Sequence, residues 1–292
     1  MRVTNYQQSR NLSSQMMAAQ SAVAAAQHRA LTGKKWEKAS ENTFGAGYVL
    51  QSSRLKDRLE GMGQNFTTSK EHLALAETSL SELTALISQA RQIGLQGNNS
   101  TLTAEERKTL ATQIESLAAR AVNLANTTDL EGLGIFSGQS RDPEAFKVDG
   151  STGALSFTGD ELSRQMELRP GEWTRMNMEN SGSFFTELHS ELKDLKSAIE
   201  NGNTTEALAK IEVRQKQVLD VRSTMGVRLQ QVEKLASQHE ARVDDLTGKI
   251  SDVQEIDLSE AITEYQRANL VYSAALQFTA QAQQLGLMDF LR

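Results

Sequence analysis

The sequence predicts a mainly α protein. The expected form is a long antiparallel helical bundle or coiled-coil rod, with paired N- and C-terminal helices and a small central β-rich insertion. Three observations carry this. Residues 208–253 place Leu208, Ile211, Val218, Met225, Leu229, Val232, Ala236, Val243, Leu246, Ile250 and Val253 in alternating steps of 3 and 4, with Gln215, Arg222 and His239 filling the remaining positions. That is a heptad seam. The 292 residues include only 2 prolines and 5% aromatics, which suits long helices better than a thick globular core. Both prolines and many glycines fall within residues 131–182, where the heptads vanish. A helix over residues 208–253 spans roughly 70 Å at ~1.5 Å per residue, longer than an ordinary compact domain, hence the rod.

The elements follow in order. Leu12, Met16, Ala19, Val23, Ala26 and Ala30 form a first seam of mostly small residues. Such a stripe buries little by itself, because Ala contributes only a fraction of the ~1.5–3 kcal/mol of a buried Leu or Val. It reads equally well as an ordinary surface helix or as one ordered against partner helices. Residues 31–50 break the pattern with Gly33, Gly45, Gly47 and Asn42 and read as a loop or broken helix. Residues 55–90 carry the next seam, from Leu55, Leu59, Met62 and Phe66 to Leu80, Leu83 and Ile87, stopping near Gly94, Gly97 and Asn98. Gly61 and Gly63 inside it suggest a kink or a close helix contact. Thr103 with Glu105 and Glu106 opens another helix, whose short connection makes it an antiparallel neighbour of the last.

In the insertion, residues 135–136, 145–148, 154–157, 165–168 and 173–178 read as strands. Asp149-Gly150 begins a hairpin turn and Arg169-Pro170-Gly171-Glu172 a second turn. Helix returns with Phe185, Leu188, Leu192, Leu195 and Ile199, closes at Asn201-Gly202-Asn203, and Thr204 or Thr205 can cap the long seam helix. A last seam runs through Leu258, Ile262, Tyr265, Asn269, Tyr272, Leu276 and Thr279. The expected organisation is an N-terminal helix segment (1–35), a connecting loop (36–54), a helical rod domain (55–130 with 183–254), a β-rich outer domain (131–182) and a C-terminal helix segment (255–292).

Composition excludes several functions. The net charge of −6 disfavours nucleic acid, which needs a basic face. With no cysteine, disulfides, thiolate nucleophiles and Cys-ligated metals are out. The sequence has no run long and apolar enough for a membrane span, and its start lacks the apolar core of a cleavable signal peptide. No cofactor or metal is expected. His28, His72, His189 and His239 sit on different helices, and His239-Glu240 lacks the second His of a zinc-protease helix. Gly33-Lys34 and Gly248-Lys249 lack the upstream glycine of a phosphate loop. The expectation is a protein that is not an enzyme.

Several stretches resemble the bacterial flagellin superfamily. They include residues 31–35 (Leu-Thr-Gly-Lys-Lys), the Ala39-Ser40-Glu41-Asn42 loop, the helix around Leu80-Ser81-Glu82-Leu83, and residues 221–226 (Val-Arg-Ser-Thr-Met-Gly). Residues 99–107, 122–128 and 135–138 (Ile-Phe-Ser-Gly), with the Met1-Arg2-Val3-Thr4 start, resemble its hook-associated branch at the hook–filament junction. Trp36, Glu41 and Asn42 depart from the family loop. The resemblance implies that the terminal segments pair as a coiled coil and complete an axial assembly with neighbouring subunits. The implied assembly interface is Leu12, Met16, Ala19, Val23, Ala26, Leu258, Ile262, Tyr265, Asn269, Tyr272, Leu276, Leu287, Phe290 and Leu291. Implied partners are copies of the chain, a hook-associated protein on the hook side, flagellin on the filament side and a flagellar export chaperone, with no nucleic acid and no membrane. The implied location is the extracellular flagellum, reached by type III export without a cleaved signal peptide. Two competing expectations are a short flagellin forming the filament itself, and a secreted binding module or adhesin acting through the β insertion.

Overall fold

A computed structural model describes the backbone of residues 2–290 and the side chains of residue 7 and residues 10–281. The elements are α1 (Arg2–Thr32), α2 (Thr43–Gly97), α3 (Ala104–Ala125), β1 (Phe146–Val148), β2 (Leu155–Phe157), β3 (Gln165–Arg169), β4 (Glu172–Arg175), α4 (Ser181–Asn201), α5 (Thr205–Gln254) and α6 (Leu258–Phe290). The chain forms two compact units, one of residues 1–59 and 241–292, the other of residues 60–240. No helix among the described residues is long and apolar enough to cross a membrane.

In the unit of residues 60–240, the α2 seam is buried as two interleaved heptads: Phe66, Leu73, Leu80 and Ile87, and Ser69, Ala76, Leu83 and Ala90. The facing α5 positions Ile211, Val218, Met225 and Val232 are buried at strict seven-residue intervals. The two helices run antiparallel: Glu77 pairs with Arg222 at 2.8 Å, Ser88 accepts from Gln215 at 3.1 Å, and Thr204 donates to the Gly94 carbonyl at 3.1 Å. Thr204 thus ties the start of α5 to α2 through its hydroxyl, while its carbonyl accepts from Leu208 N at 2.9 Å. At the far end His239 meets Phe66, with ring centroids 4.9 Å apart.

Gly94 and Gly97 continue both α2 heptads. A Cβ there would come within 2.7 Å of Leu208 and 2.8 Å of Ile199, so their absence of side chain lets α4 and α5 close on the end of α2. Gly61 has nothing within 4 Å and Gly63 only His239 at 3.8 Å. The close contact allowed for those two lies instead at Gly94 and Gly97.

Helix α3 starts with a capping box: Thr103 Oγ1 accepts from Glu106 N, and the Glu106 carboxylate accepts from Thr103 N at 2.8 Å. It packs on α4. Gly202 closes α4 in the left-handed conformation, φ 74°.

The insertion is two separate antiparallel hairpins, β1–β2 and β3–β4. Both expected turns form, and Asp149 accepts from Ser151 N at 2.7 Å in the first. Ile135 and Phe136 are not a strand. Both are buried, which the alternation of a half-exposed strand forbids, and they lie in a bend where Ile135 N reaches Thr127 O. β4 stops at Arg175 because Met176 and Met178 turn into the core and the Asn177 side chain bonds Arg164 N and Leu162 O. Phe136, Phe146, Phe157 and Phe185 stack in a chain of rings 4.8–5.2 Å apart, anchoring the insertion to α4.

Candidate assembly interface

In the other unit, α1 packs on α6. They are antiparallel, because Arg29 near the end of α1 reaches Glu264 near the start of α6 at 3.1 Å. The α1 face follows the predicted seam. Leu12, Met16, Ala19, Val23 and Ala30 are half-buried and Ala26 is buried, with most intervening residues exposed.

The α6 face is rotated from the expected one. Ala261 is buried, and Glu264, Tyr265, Ala268, Tyr272, Ala274, Ala275 and Thr279 are half-buried. Tyr265, Tyr272 and Thr279 belong to the predicted seam. Leu258, Ile262 and Leu276, expected against α1, are 57%, 43% and 42% exposed, and Asn269 is exposed as well. Alanines sit in both faces, Ala19, Ala26 and Ala30 on α1 and Ala261, Ala268 and Ala275 on α6, alternating with larger residues. Leu258, Ile262 and Leu276 flank the contact. Val271 and Phe278 lie exposed on its other flank. The side chains of Leu287, Phe290 and Leu291 lie outside the described residues. Ala261, Ala268 and Ala275 were missed by the sequence reading because it gave weight to large residues. The signal was present in their own 7-residue spacing.

A main-chain clamp fixes the register of the pair. Gly33, at φ 68°, ends α1. Lys34 then bridges Glu255 in antiparallel fashion, with Lys35 N donating to Gln254 O and Ile256 N to Gly33 O, both at 2.8 Å. Lys35 Nζ adds a bond to Asp252 O at 2.6 Å. Asp257 caps α6 by accepting from Ser259 N at 2.7 Å. The expected loop at 36–54 is shorter than its glycines suggested: α2 begins at Thr43, because Asn42 accepts from Gly45 N at 2.8 Å and caps the helix. Gly45 and Gly47 are helical.

The bacterial flagellin N-terminal helical region matches residues 3–141, and the bacterial flagellin C-terminal helical region matches residues 208–291. The chain belongs to the bacterial flagellin family. Those two matches take in both partners of the α1–α6 pair and leave out most of the insertion. Family membership makes it a structural component of the flagellum, not an enzyme. The chain is 26% identical to flagellar hook-associated protein 3 of Escherichia coli over 86% of each chain. It is 20% identical to a flagellin of Halalkalibacterium halodurans, over 82% of this chain and 80% of that one. Among solved structures, hook-associated protein 3 of Legionella pneumophila shares the fold at a TM-score of 0.58 and 15% identity, covering 70% of this chain and 98% of that one.

Proposed function

We propose that this flagellin-family chain is the junction subunit that joins the hook to the flagellin filament. The observation that carries the reading is the extent of similarity to hook-associated protein 3, at 26% identity over 86% of both chains. The α1–α6 pair gives it a physical basis. An α1–α6 contact with Leu258, Ile262, Leu276, Val271 and Phe278 left on both flanks is a surface that monomers in water do not keep bare. Neighbouring subunits would cover it. In this reading the chain contacts copies of itself, a hook-associated protein on one side and flagellin on the other. It travels to the cell exterior through the flagellar export apparatus, held beforehand by an export chaperone and without a cleaved signal peptide.

The test is a strain lacking the chain. Complete hooks with flagellin released unpolymerised into the medium is the expected phenotype, and normal filaments would refute the reading. The similarity to a flagellin over 82% of the chain supports one other reading, a short filament subunit. Labelled protein along the whole filament, instead of at one boundary next to the hook, would favour it.

A further inference from the structure

His72 lies on a stripe of α2 that the chain following α3 covers. Asn65, two turns before it, donates to the Glu167 carbonyl at 2.9 Å, and Ser79, two turns after it, meets Thr127 at 3.4 Å. Between them His72 is 4% exposed, with both ring nitrogens unpartnered. Burial, then the charges of Arg164 and, more weakly, Arg141, hold its pKa down against the pull of Asp129, so these three charges stand beside the ring. Gln139 Nε2 donates to the Ser163 carbonyl at 2.8 Å and draws the two arginine-bearing segments together. The two guanidiniums differ in their partners. Arg141, at φ 55°, bonds Asp129 at 2.9 Å and Glu131 at 3.1 Å, while its Nε–H is buried without an acceptor. Arg164 is half-buried. Its guanidinium has no hydrogen bond or ion pair among the described residues, and its Nη1 is buried. Burial and then Arg141 disfavour its charge, and the carboxylates that offset them, Asp129 and Glu131, are the ones bonded to Arg141.

We propose that His72, Arg141 and Arg164 bind one small monovalent anion, of chloride's size, which ties the insertion to α2. Arg164 Nη1, Arg141 Nε and one N–H of His72 are its donors. Guanidinium nitrogens can only donate, and a neutral imidazole adds one N–H and one lone pair, so the unpaired groups here call mainly for an acceptor. A charge held away from bulk water needs a counter-charge as well as hydrogen bonds. Water would satisfy the donors but leave the charge of Arg164 unanswered. The ligand is small because its donors are buried side-chain atoms, and monovalent because one guanidinium lacks a bonded carboxylate.

The full-length chain is unfolded in urea while sodium chloride replaces sodium gluconate, whose anion is too large for the site, at constant ionic strength. The folded-to-unfolded ratio at fixed urea should rise about tenfold for each tenfold increase in chloride above the dissociation constant. Arg164→Gln should abolish that dependence, and Arg91→Gln, on an exposed position of α2, should keep it. A ratio that ignores chloride, the result expected of a site holding only water, overturns the proposal. So does a chloride dependence that survives Arg164→Gln. A second readout needs no arginine variant. The His72 ring resonances, assigned by their loss in His72→Gln, should titrate at higher pH in chloride than in gluconate. A bound anion offsets Arg164 and Arg141, and Asp129 is the other charge facing the ring. The same His72 titration in both salts also overturns the proposal.

Discussion

His72 lies on the buried face of α2 with neither ring nitrogen hydrogen-bonded. Burial, followed by the positive charges of Arg164 and Arg141, holds its pKa down at about 4 against the opposing pull of Asp129. Below pH 6.5 the unfolded chain takes up a proton that the folded chain refuses until about pH 4. Stability is therefore lost as pH falls through that window, by about 2 kcal/mol between pH 7.5 and pH 5. Urea midpoints at the two pH values measure this loss, and His72→Leu should remove the His72 part of the slope. Arg214 is the other costly residue. It is buried, bonds Glu191 at 2.7 and 2.9 Å and Glu187 at 2.8 Å, and lies 5.2 Å from the centroid of the Phe184 ring. Arg214→Ala should cost about 3 kcal/mol or more by leaving Glu191 uncompensated. Arg214→Met keeps more of the packing and should cost less in the same denaturation assay.

At the scale of helices, glycine placement separates packing from propensity. Gly97→Ala pushes a Cβ to within 2.8 Å of Ile199 and should destabilise by about 1–3 kcal/mol through overpacking. Gly226 lies within α5 with nothing within 4 Å, so Gly226→Ala should stabilise by about 1 kcal/mol through helix propensity alone. Melting temperatures of the two variants should move in opposite directions. The clamp gives a test of helix register. Lys34 and Glu255 face each other between the two 2.8 Å bonds that flank them. This is the close, non-hydrogen-bonded kind of antiparallel pair. A Lys34→Cys/Glu255→Cys chain should oxidise to an intramolecular disulfide in dilute monomer, read as a mobility shift on a non-reducing gel. Failure to close would mean that the α1–α6 register differs.

For the whole molecule, the exposed flank of α6 separates folding from assembly. Leu276 belongs to the unit of residues 1–59 and 241–292 and is 42% exposed. The main hydrophobic core lies in residues 66–235. Leu276→Asp should block incorporation into flagella and leave the melt of that core nearly unchanged. Normal incorporation would show that the flank is not a subunit contact.

The helices were legible because their periods are long and regular. The Leu73–Leu80–Ile87 and Ile211–Val218–Met225 repeats specify helix, length and buried face without outside information. The hairpin turns were legible for a similar reason: Asp149-Gly150 and Pro170-Gly171 are local chemistry. Sequence order and spacing also placed the chain in its family. Residues whose role depends on a distant neighbour were not legible. Ile135 and Phe136 resemble a strand, but the surrounding core takes both side chains. Gly94 and Gly97 look like a helix stop until α4 and α5 are seen pressing on them. Arg214 occupies a position that periodicity assigns to no partner, and only Glu187 and Glu191 from α4 explain its burial. The face of α6 is the main case. Sequence determined that α6 is helical and amphipathic, but two neighbouring stripes, one of leucine and isoleucine and one of alanine, competed for the inner side. Tertiary structure turned the stripe with Ala261, Ala268 and Ala275 inward, interleaved with Tyr265 and Tyr272, against an α1 face that itself mixes alanine with Leu12, Met16 and Val23. That choice leaves the leucines outside, on the surface where a neighbouring subunit would meet them.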